Sequence, residues 1–310
     1  MTTPIILDCD PGHDDAIALL LALASPEVNL LGVTTVAGNT TLENTTVNAL
    51  KVLELCDHRE IPVAAGAARP LMRELVVAEH VHGKSGLDGP TLPDPVMRPV
   101  ASHAVDFLAQ KILECPEQVT LVPVGPLTNV ALLLNRYPEA LDNVSRIVSM
   151  GGAIGLGNVT PSAEFNIFVD PEAAHRVYHS GVPITMIGLD VTHQALLDKT
   201  HAERLRPMGR AGGFVAELLD FFIGNYPRHR GGGAGAPIHD AVAVACVIWP
   251  DLVSTINCYV TIDTQSELSR GRTVVDRWHV TGRPANAEVG ISLPGDYFAD
   301  LLIERIAMLG

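Results

Sequence analysis

Cysteine is scarce in this chain, and the few cysteines present form no recognisable pattern. Five are spread widely over 310 residues, without a CxxC pair. An odd, scattered set of this kind indicates neither a disulfide framework nor a zinc site. Such cysteine usage is typical of a reducing compartment, so we expect a cytoplasmic protein.

Long hydrophobic runs and an excess of basic residues are also missing. No apolar stretch reaches the roughly 18 residues that a membrane-spanning helix needs, and "MTTP" leads directly into a strand-like "IILD". The net charge is −14, whereas binding to nucleic acid or to an anionic membrane requires a basic surface that contacts phosphates. We therefore expect a soluble, unexported protein that binds neither partner, with a ligand that is small, neutral or metal-bound.

Aromatic residues make up only 5% of the chain, while hydrophobic residues in total make up 47%. Strand-like runs alternate with helical patterns over the first 190 residues, which is typical of βαβ units. No linker or break in composition divides the chain, so we predict one domain over residues 1–310, an α/β fold with a single open, mostly parallel, Rossmann-like sheet and flanking helices. The predicted strands are Ile5–Asp8, Leu30–Val36, Pro62–Ala65, Val119–Val124, Arg146–Met150 and Pro183–Gly188. The predicted helices are Asp14–Ala24, Leu42–Leu55, Ala101–Leu113, Leu127–Asn135 and Pro171–His179.

The last third of the chain is less regular. Helical patterns recur at Phe214–Phe222, Ile238–Val247 and Tyr297–Ala307, and "CYVTIDT" and "TVVDRWHV" indicate further strands that we expect to pair antiparallel. Two segments, 66–99 and 152–166, lack regular patterning and are long enough to be functional or disordered loops. The glycine-dense "NYPRHRGGGAGAP" is expected to be mobile and is a candidate lid.

Polar residues follow several of the predicted strands. Asp8 and Asp10 end the first strand, Asn39 follows the second in "AGN", and Asp190 follows the sixth in "GLD". The carboxyl ends of parallel strands share one edge of an open sheet, where ligands bind. We therefore expect these side chains to converge in one crevice.

Four aspartates, Asp8, Asp10, Asp14 and Asp15, stand within eight residues, and no Lys or Arg occurs between residues 5 and 24. Asp14 and Asp15 could be ordinary acids of a first helical turn, where the helix dipole favours them. However, like charges about 4 Å apart repel by roughly 4 kcal/mol at an effective dielectric of 20, and a helix terminus supplies at most ~2 kcal/mol. A hard divalent cation such as calcium or magnesium would offset this repulsion.

The spacing of Asp14 and Asp15 separates their expected roles. Adjacent helical residues point about 100° apart, so the two side chains should not both face one ion squarely. We expect one of them to bind metal and the other to bind a substrate hydroxyl.

The run "DCDPGHDDAIALLLALASPE" resembles the amino-terminal signature of the nucleoside hydrolases, which split the N-glycosidic bond of ribonucleosides into ribose and base. Further similar segments follow in family order over nearly the whole chain: "AGN", "VHG", "VPVGPLTN", "MGGA", "AEFNIFVDPEAA" and "HDAVAVA". "HGKSGLDGP" and "GAIGLGNVTPSAEFNIFVDPEAA" resemble the pyrimidine-preferring bacterial branch. The resemblance implies hydrolysis of uridine and cytidine in nucleoside salvage by a homotetramer or homodimer, with a broad inosine-uridine hydrolase as the alternative.

The resemblance also implies a set of site residues. It implies a Ca²⁺ ion that is held by Asp10, Asp15, Asp240 and the backbone carbonyl of Val124. This ion would also bind the ribose 2′ and 3′ hydroxyls and one water. The implied ribose contacts are Asp14, Asn39, Asn158, Glu164 and Asn166, with the Met150 backbone nearby. His82 and His239 would face the base. Taken without the resemblance, Asn158, Glu164 and Asn166 would be turn and cap residues of a long loop.

The chemistry of glycosidic cleavage is consistent with these residue types. The sugar becomes oxocarbenium-like, so anionic and amide oxygens should surround it. Calcium orients a water, but a carboxylate general base is still required, and Asp10 is the candidate, with a role as ligand only as the alternative. His239 either donates a proton to the leaving base or only positions it, because a pyrimidine can be stabilised through its own O2. His82 either contacts the base or packs its loop.

The segment before His239 departs from the family pattern. Relatives often carry aromatic or amide side chains there that close over the base, whereas this chain offers only Tyr226, Arg228, His229 and Arg230. We assign no base-recognition residue to it. Two other classes of protein share part of the pattern: a haloacid dehalogenase-type phosphatase, which also starts with a strand and DxD, and a calcium-dependent sugar-binding protein without turnover. "PGHDD" and "HDAVAVA" do not suit the phosphatase.

Overall fold

The computed structural model describes residues 2–225 and 235–310. The strands are β1 (Thr3–Cys9), β2 (Val28–Thr35), β3 (Val63–Ala65), β4 (Val119–Pro123), β5 (Val144–Met150), β6 (Ile184–Ile187), β7 (Leu196–Leu197), β8 (Ala236–Pro237), β9 (Ser254–Ile262), β10 (Thr273–Asp276) and β11 (Ala287–Ser292). The α-helices are α1 (His13–Leu23), α2 (Leu42–Leu55), α3 (Glu79–His82), α4 (Ala104–Glu114), α5 (Thr128–Arg136), α6 (Phe165–Val169), α7 (Pro171–Tyr178), α8 (Leu189–Thr192), α9 (Lys199–Leu205), α10 (Gly209–Asn225), α11 (His239–Ile248) and α12 (Gly295–Ile306).

Within the described ranges, nine strands form one sheet in the order β10-β9-β11-β6-β5-β4-β1-β2-β3. Every neighbouring pair from β11 to β3 is parallel, and β9 pairs antiparallel with both β11 and β10. β7 and β8 form a separate antiparallel pair. The prediction of an open, mostly parallel α/β sheet is confirmed, as is the antiparallel pairing of "CYVTIDT" with the start of "TVVDRWHV".

The central strand β1 shows why the sequence forms a sheet covered on both faces. Every residue from Pro4 to Cys9 is buried, and such strands are continuously apolar because helices pack on both sides. One face packs on α1, α10, α11 and α12 through residues such as Leu19, Phe222 and Phe298. The other face packs on α4, α5 and α7, and includes Leu108 and Tyr178. The carboxyl end of β1 therefore opens near the middle of the sheet.

The predicted elements of the first 190 residues are all present, with ends shifted by a few residues. The helix predicted from Ala101 begins at Ala104, because the side chain of His103 accepts the backbone N–H of Val105 and caps the helix there. The sequence analysis missed β7, β8 and β11 and the short helices α3, α6, α8 and α9. In "TVVDRWHV" only the first four residues form a strand.

Residues 226–234 of the candidate lid, with its side chains Tyr226, Arg228, His229 and Arg230, lie outside the described residues. The end of the same segment, Ala236–Pro237, forms β8. Among the helices that are described, none combines the length and apolar character needed to cross a membrane.

Candidate active site

A partly open cavity lies at the carboxyl edge of the sheet. The wall of this cavity contains these predicted site residues: Asp14, Asn39, His82, Val124, Met150, Asn158, Glu164, Asn166, His239 and Asp240. Asp10 and Asp15 are fully buried, and each accepts a hydrogen bond from Asn39, which lines the cavity. The structure thus brings together all of the predicted site residues, although they come from segments up to 230 residues apart.

The turn between β1 and α1 places the first aspartates. Gly12 caps α1, and the carboxylate of Asp15 accepts the backbone N–H groups of Asp10 at 3.0 Å and Gly12 at 2.9 Å. A side chain on Gly12 would overlap the ring of His82, so this position requires glycine. Local helix-capping chemistry therefore turns the carboxylate of Asp15 back toward the end of β1.

Asp240 completes the acidic cluster from the start of α11. One carboxylate oxygen from each of Asp14, Asp15 and Asp240 lies within 4.8 Å of the other two. The carboxylate oxygens of Asp14 and Asp15 thus lie close together, although the two residues are adjacent on α1. The amino termini of α1 and α11 both point at this cluster and favour negative charge there.

Asp10 sits between two glycines that follow β2 and β4. Its Oδ2 accepts the backbone N–H of Asn39 at 2.6 Å, whereas its Oδ1 is enclosed and has no hydrogen-bond partner among the described residues. A Cβ on Gly38 or Gly125 would overlap the carboxylate. The side chain is thus held firmly, with one buried carboxylate oxygen left unsatisfied by the described residues.

Among the described residues, no lysine or arginine balances the charge of the cluster. Burial first, and then repulsion from neighbouring carboxylates, raises the pKa values of Asp10, Asp14 and Asp240 well above the ordinary value. Within the described part of the chain, no lysine or arginine lines the cavity. An all-oxygen donor set with an orphaned carboxylate oxygen fits a hard cation such as Ca²⁺.

Val124, whose carbonyl is a predicted ligand, lines the cavity, and that carbonyl already has one hydrogen-bond partner. The side-chain amide of Asn166 donates to it at 2.7 Å and to the carbonyl of Met150 at 3.2 Å. One lone pair of the Val124 oxygen remains available. Asn166 thereby fixes the ends of β4 and β5 relative to each other.

Glu164 and Asn158 both line the cavity and hold the local backbone, the two roles between which the sequence did not decide. Glu164 is the N-cap of α6 and accepts the backbone N–H groups of Asn166, Ile167 and Gly152 at 2.9–3.2 Å. Asn158 accepts the backbone N–H of Phe165 at 3.0 Å. Burial, opposed by these N–H groups, raises the pKa of Glu164 to about 7. Both residues are therefore caps that also line the cavity.

The two predicted histidines lie on the cavity wall and are neutral at pH 7. His239 has Nδ1 at 2.7 Å from the hydroxyl of Thr192, and burial followed by the charge of His193 lowers its pKa to about 3. Burial likewise lowers the pKa of His82 well below the ordinary value. His82 also packs against His13, so this residue both packs its loop and lines the cavity.

Two aspartates that the sequence grouped with the site have structural roles. Asp8 Oδ1 accepts the hydroxyl of Thr34 at 2.5 Å and the side-chain amide of Asn129 at 2.8 Å. Asp190 accepts the backbone N–H groups of Ile154 and Gly155 and anchors their loop. Strand-end position alone therefore predicted too many site residues.

The sequence analysis missed Phe222 and His13. Phe222 lies near the end of α10 and lines the cavity. Its position shortly before the glycine-dense segment, where relatives carry aromatic residues, was the available signal. His13 bonds to His82 behind the wall, and nothing in its local sequence pattern indicates that contact.

A family model described as "Inosine-uridine preferring nucleoside hydrolase" matches residues 5–300. The chain belongs to this family. It is 54% identical over 311 residues to a protein named pyrimidine-specific ribonucleoside hydrolase RihA from Shewanella oneidensis, covering 99% of this chain and 97% of that protein. A protein of the same name from Escherichia coli O8 is 51% identical over 307 residues, with 99% of each chain covered.

Solved structures show the same fold. A purine-preferring ribonucleoside hydrolase from Gardnerella vaginalis superposes with a TM-score of 0.93 at 34% identity, and a plant nucleoside hydrolase with 0.91 at 32% identity, each covering 99% of both chains. The protein is therefore an enzyme of the ribonucleoside hydrolase class. The phosphatase and the sugar-binding protein without turnover are set aside.

Proposed function

We propose that this enzyme hydrolyses the N-glycosidic bond of pyrimidine ribonucleosides, uridine and cytidine, to ribose and free base. The proposal rests chiefly on one observation: a buried cluster of aspartates opens into a cavity whose wall also carries Glu164 and Asn166. Oxygen atoms of this kind stabilise a sugar that becomes oxocarbenium-like. The pyrimidine preference is supported by the names of the relatives at 51–54% identity.

The residues proposed to hold Ca²⁺ are Asp10, Asp15, Asp240 and the carbonyl of Val124. When bound, the ion supplies a positive charge that offsets the carboxylate repulsion and makes a bound water more acidic. Asp14 stands beside these residues on the cavity wall, in a position suited to a ribose hydroxyl.

Asp10 is the proposed general base. Its Oδ2 is held by the N–H of Asn39, which leaves Oδ1 to accept a proton from the attacking water. The water oxygen bonds to the anomeric carbon, and the C–N bond breaks with its electron pair going to the base. Asp14, Asn39 and Glu164 place oxygens near the sugar, where positive charge develops.

His239 is proposed to position the base. Its pKa of about 3 leaves the ring uncharged at neutral pH, so it can form a hydrogen bond but does not act as an imidazolium acid. The negative charge that develops on a departing pyrimidine is spread onto the O2 atom of the base itself.

Release of ribose from uridine, cytidine and inosine tests the proposed function. Each nucleoside is assayed with added calcium and with a chelator, using the wild type and Asp94→Asn, whose exposed carboxylate lies on the surface, as a matched control. Calcium-dependent release with uridine and cytidine preferred over inosine supports the proposal. Equal turnover of inosine would favour the broad inosine-uridine specificity, and no release from any of them would contradict the function.

A further inference from the structure

Two histidine rings form a buried pair behind the cavity wall. His13, the first residue of α1, is fully buried, and its Nδ1 lies 3.1 Å from Nδ1 of His82. The His13 ring also stacks on Phe221 and Phe222, with centroids 5.2 Å away in both cases. His13 is thus held rigidly against a residue that faces the ligand.

The second nitrogen of His13 determines where its proton lies. His13 Nε2 is 2.9 Å from the backbone carbonyl oxygen of Asp88. A carbonyl oxygen only accepts hydrogen bonds, so Nε2 must carry a hydrogen. In a neutral ring the other nitrogen, Nδ1, is then an acceptor, and the contact with His82 requires the hydrogen to be on Nδ1 of His82.

One weaker contact favours the opposite arrangement. The backbone N–H of His13 lies 3.3 Å from Nδ1 of His82 and would donate to it if that nitrogen were unprotonated. The two ring contacts, at 2.9 and 3.1 Å, are shorter than this one, and the strength of a hydrogen bond falls with distance. The ring of His13 and the backbone N–H of His13 therefore favour opposite tautomers of His82, and the tautomer favoured by the ring is the more stable one.

The edge of His82 that remains for a ligand is Nε2. His82 lines the cavity, and its Nδ1 edge is occupied by His13. Nε2 has no hydrogen-bond partner in the described part of the chain. With the proton on Nδ1, this atom presents a lone pair.

We propose that His13 is a positioning residue for base recognition: it fixes His82 in the Nδ1-protonated tautomer, so that His82 Nε2 accepts a hydrogen bond from the base. The inference rests on the proposed pyrimidine ribonucleoside hydrolysis. The matching donors are N3–H of uracil and the N4 amino group of cytosine. In this state His82 does not donate a proton to the leaving base.

The ratio of kcat/KM for uridine to that for 3-methyluridine tests the proposal, because the methyl group removes the N3–H donor. His13→Phe keeps an aromatic ring against Phe221 and Phe222 but removes both nitrogens, which leaves the backbone N–H to reverse the tautomer of His82. We expect the ratio to fall by about 3- to 10-fold in His13→Phe, the effect of one hydrogen bond, mainly through KM for uridine. His58→Phe, at a partly exposed histidine, should leave the ratio unchanged.

A merely structural role for His13 predicts a different result. Loosened packing would lower turnover of both nucleosides equally and leave the ratio as in the wild type, which would overturn the proposal. Failure to hydrolyse any ribonucleoside would instead contradict the proposed function, and the tautomer would then be decided by spectroscopy alone.

Nitrogen-15 NMR of histidine-labelled wild-type enzyme reports the tautomer directly, without substrate and without a variant at position 13. Signals of His82 are assigned by their loss in His82→Gln. We expect a protonated Nδ1 and an unprotonated Nε2 on His82, with the reverse in His13→Phe. A proton on Nε2 of His82 in the wild type, or a doubly protonated His13 at neutral pH, would show the inference to be wrong.

Discussion

The two oxygens of the Asp10 carboxylate have different surroundings, and this difference leads to a prediction. Oδ2 accepts the N–H of Asn39, while Oδ1 is buried and has no hydrogen-bond partner among the described residues. Asp10→Asn keeps the shape and an oxygen for the Asn39 contact but removes the basic group. We expect kcat on uridine to fall about 10²- to 10⁴-fold while calcium binding, measured by titration calorimetry, is retained.

The alternative role of Asp10, as a ligand only, gives the opposite pattern. Calcium affinity would fall, and saturating calcium would restore turnover. The exposed substitution Asp94→Asn serves as the control for the charge change.

Glu164 lines the cavity and caps α6 at the same time, so its removal should have two separable effects. Loss of the cap in Glu164→Ala should lower the free energy of unfolding by about 1–2 kcal/mol, measured by denaturant titration. Loss of a ribose contact should lower kcat/KM for uridine more than for 5′-deoxyuridine, which lacks the 5′-hydroxyl. An equal loss on both nucleosides would rule out a contact with that hydroxyl.

Among the structural elements, the loops after β2 and β4 determine where Asp10 can lie. A Cβ on Gly125 would overlap the Asp10 carboxylate, so Gly125→Ala must displace it. We expect kcat to fall by about 10²-fold, the typical effect of a small misplacement of a catalytic group. Steady-state kinetics and calcium titration of the variant test this expectation.

Gly224→Ala is the matched control for Gly125→Ala. A Cβ at Gly224, in α10, would meet no heavy atom of the described residues within 4 Å. This substitution should leave kcat unchanged and leave stability unchanged or raised by up to about 1 kcal/mol, because alanine favours helix. Normal turnover in Gly125→Ala would mean that the position of Asp10 tolerates more movement than its packing suggests.

Elements with strong local patterns were predictable from the sequence, and those that depend on their neighbours were not. β1 and α1 follow from apolar runs and two first-turn acids. β11 reads "AEVGIS", with a glutamate and a glycine in six residues, and it is a strand because it fits between β9 and β6. α3 is four residues long, too short to show a helical period.

The site residues were predictable where several residues with the same chemical role stand close together in the sequence. Carboxylates without counterions and a family resemblance located both Asp10 and Asp240. The contact of His13 with His82 joins residues 69 positions apart, and local periodicity carries no information about such pairs. The same limit explains why the structural roles of Asp8 and Asp190 required the structure.

At the scale of the whole molecule, the acidic cluster should link calcium to stability. The cluster joins the turn after β1 to the start of α11, so an ion bound there stabilises only the folded chain. Calcium at about 100 times its dissociation constant should raise the free energy of unfolding by about 2.7 kcal/mol. The melting temperature, measured with calcium and with a chelator, should rise accordingly.

Asp240→Asn should lose most of this calcium-dependent shift in melting temperature, whereas Asp94→Asn should retain it. An identical shift in both variants would place the calcium site elsewhere. Assembly into a homotetramer or homodimer and a cytoplasmic location stay predictions.

The cavity has two parts with different structural origins, and this division bears on how such enzymes diverge. The acidic part is built from strand ends and helix starts at the centre of the sheet, whereas the part around His82 and Phe222 comes from α3 and the end of α10. Substitutions in the outer part need not disturb the inner one. Descendants of one ancestral hydrolase could therefore have changed the bases that they accept while inheriting the same bond-breaking centre. In keeping with this, a neighbour of very similar fold is named purine-preferring, and relatives similar in sequence are named pyrimidine-specific.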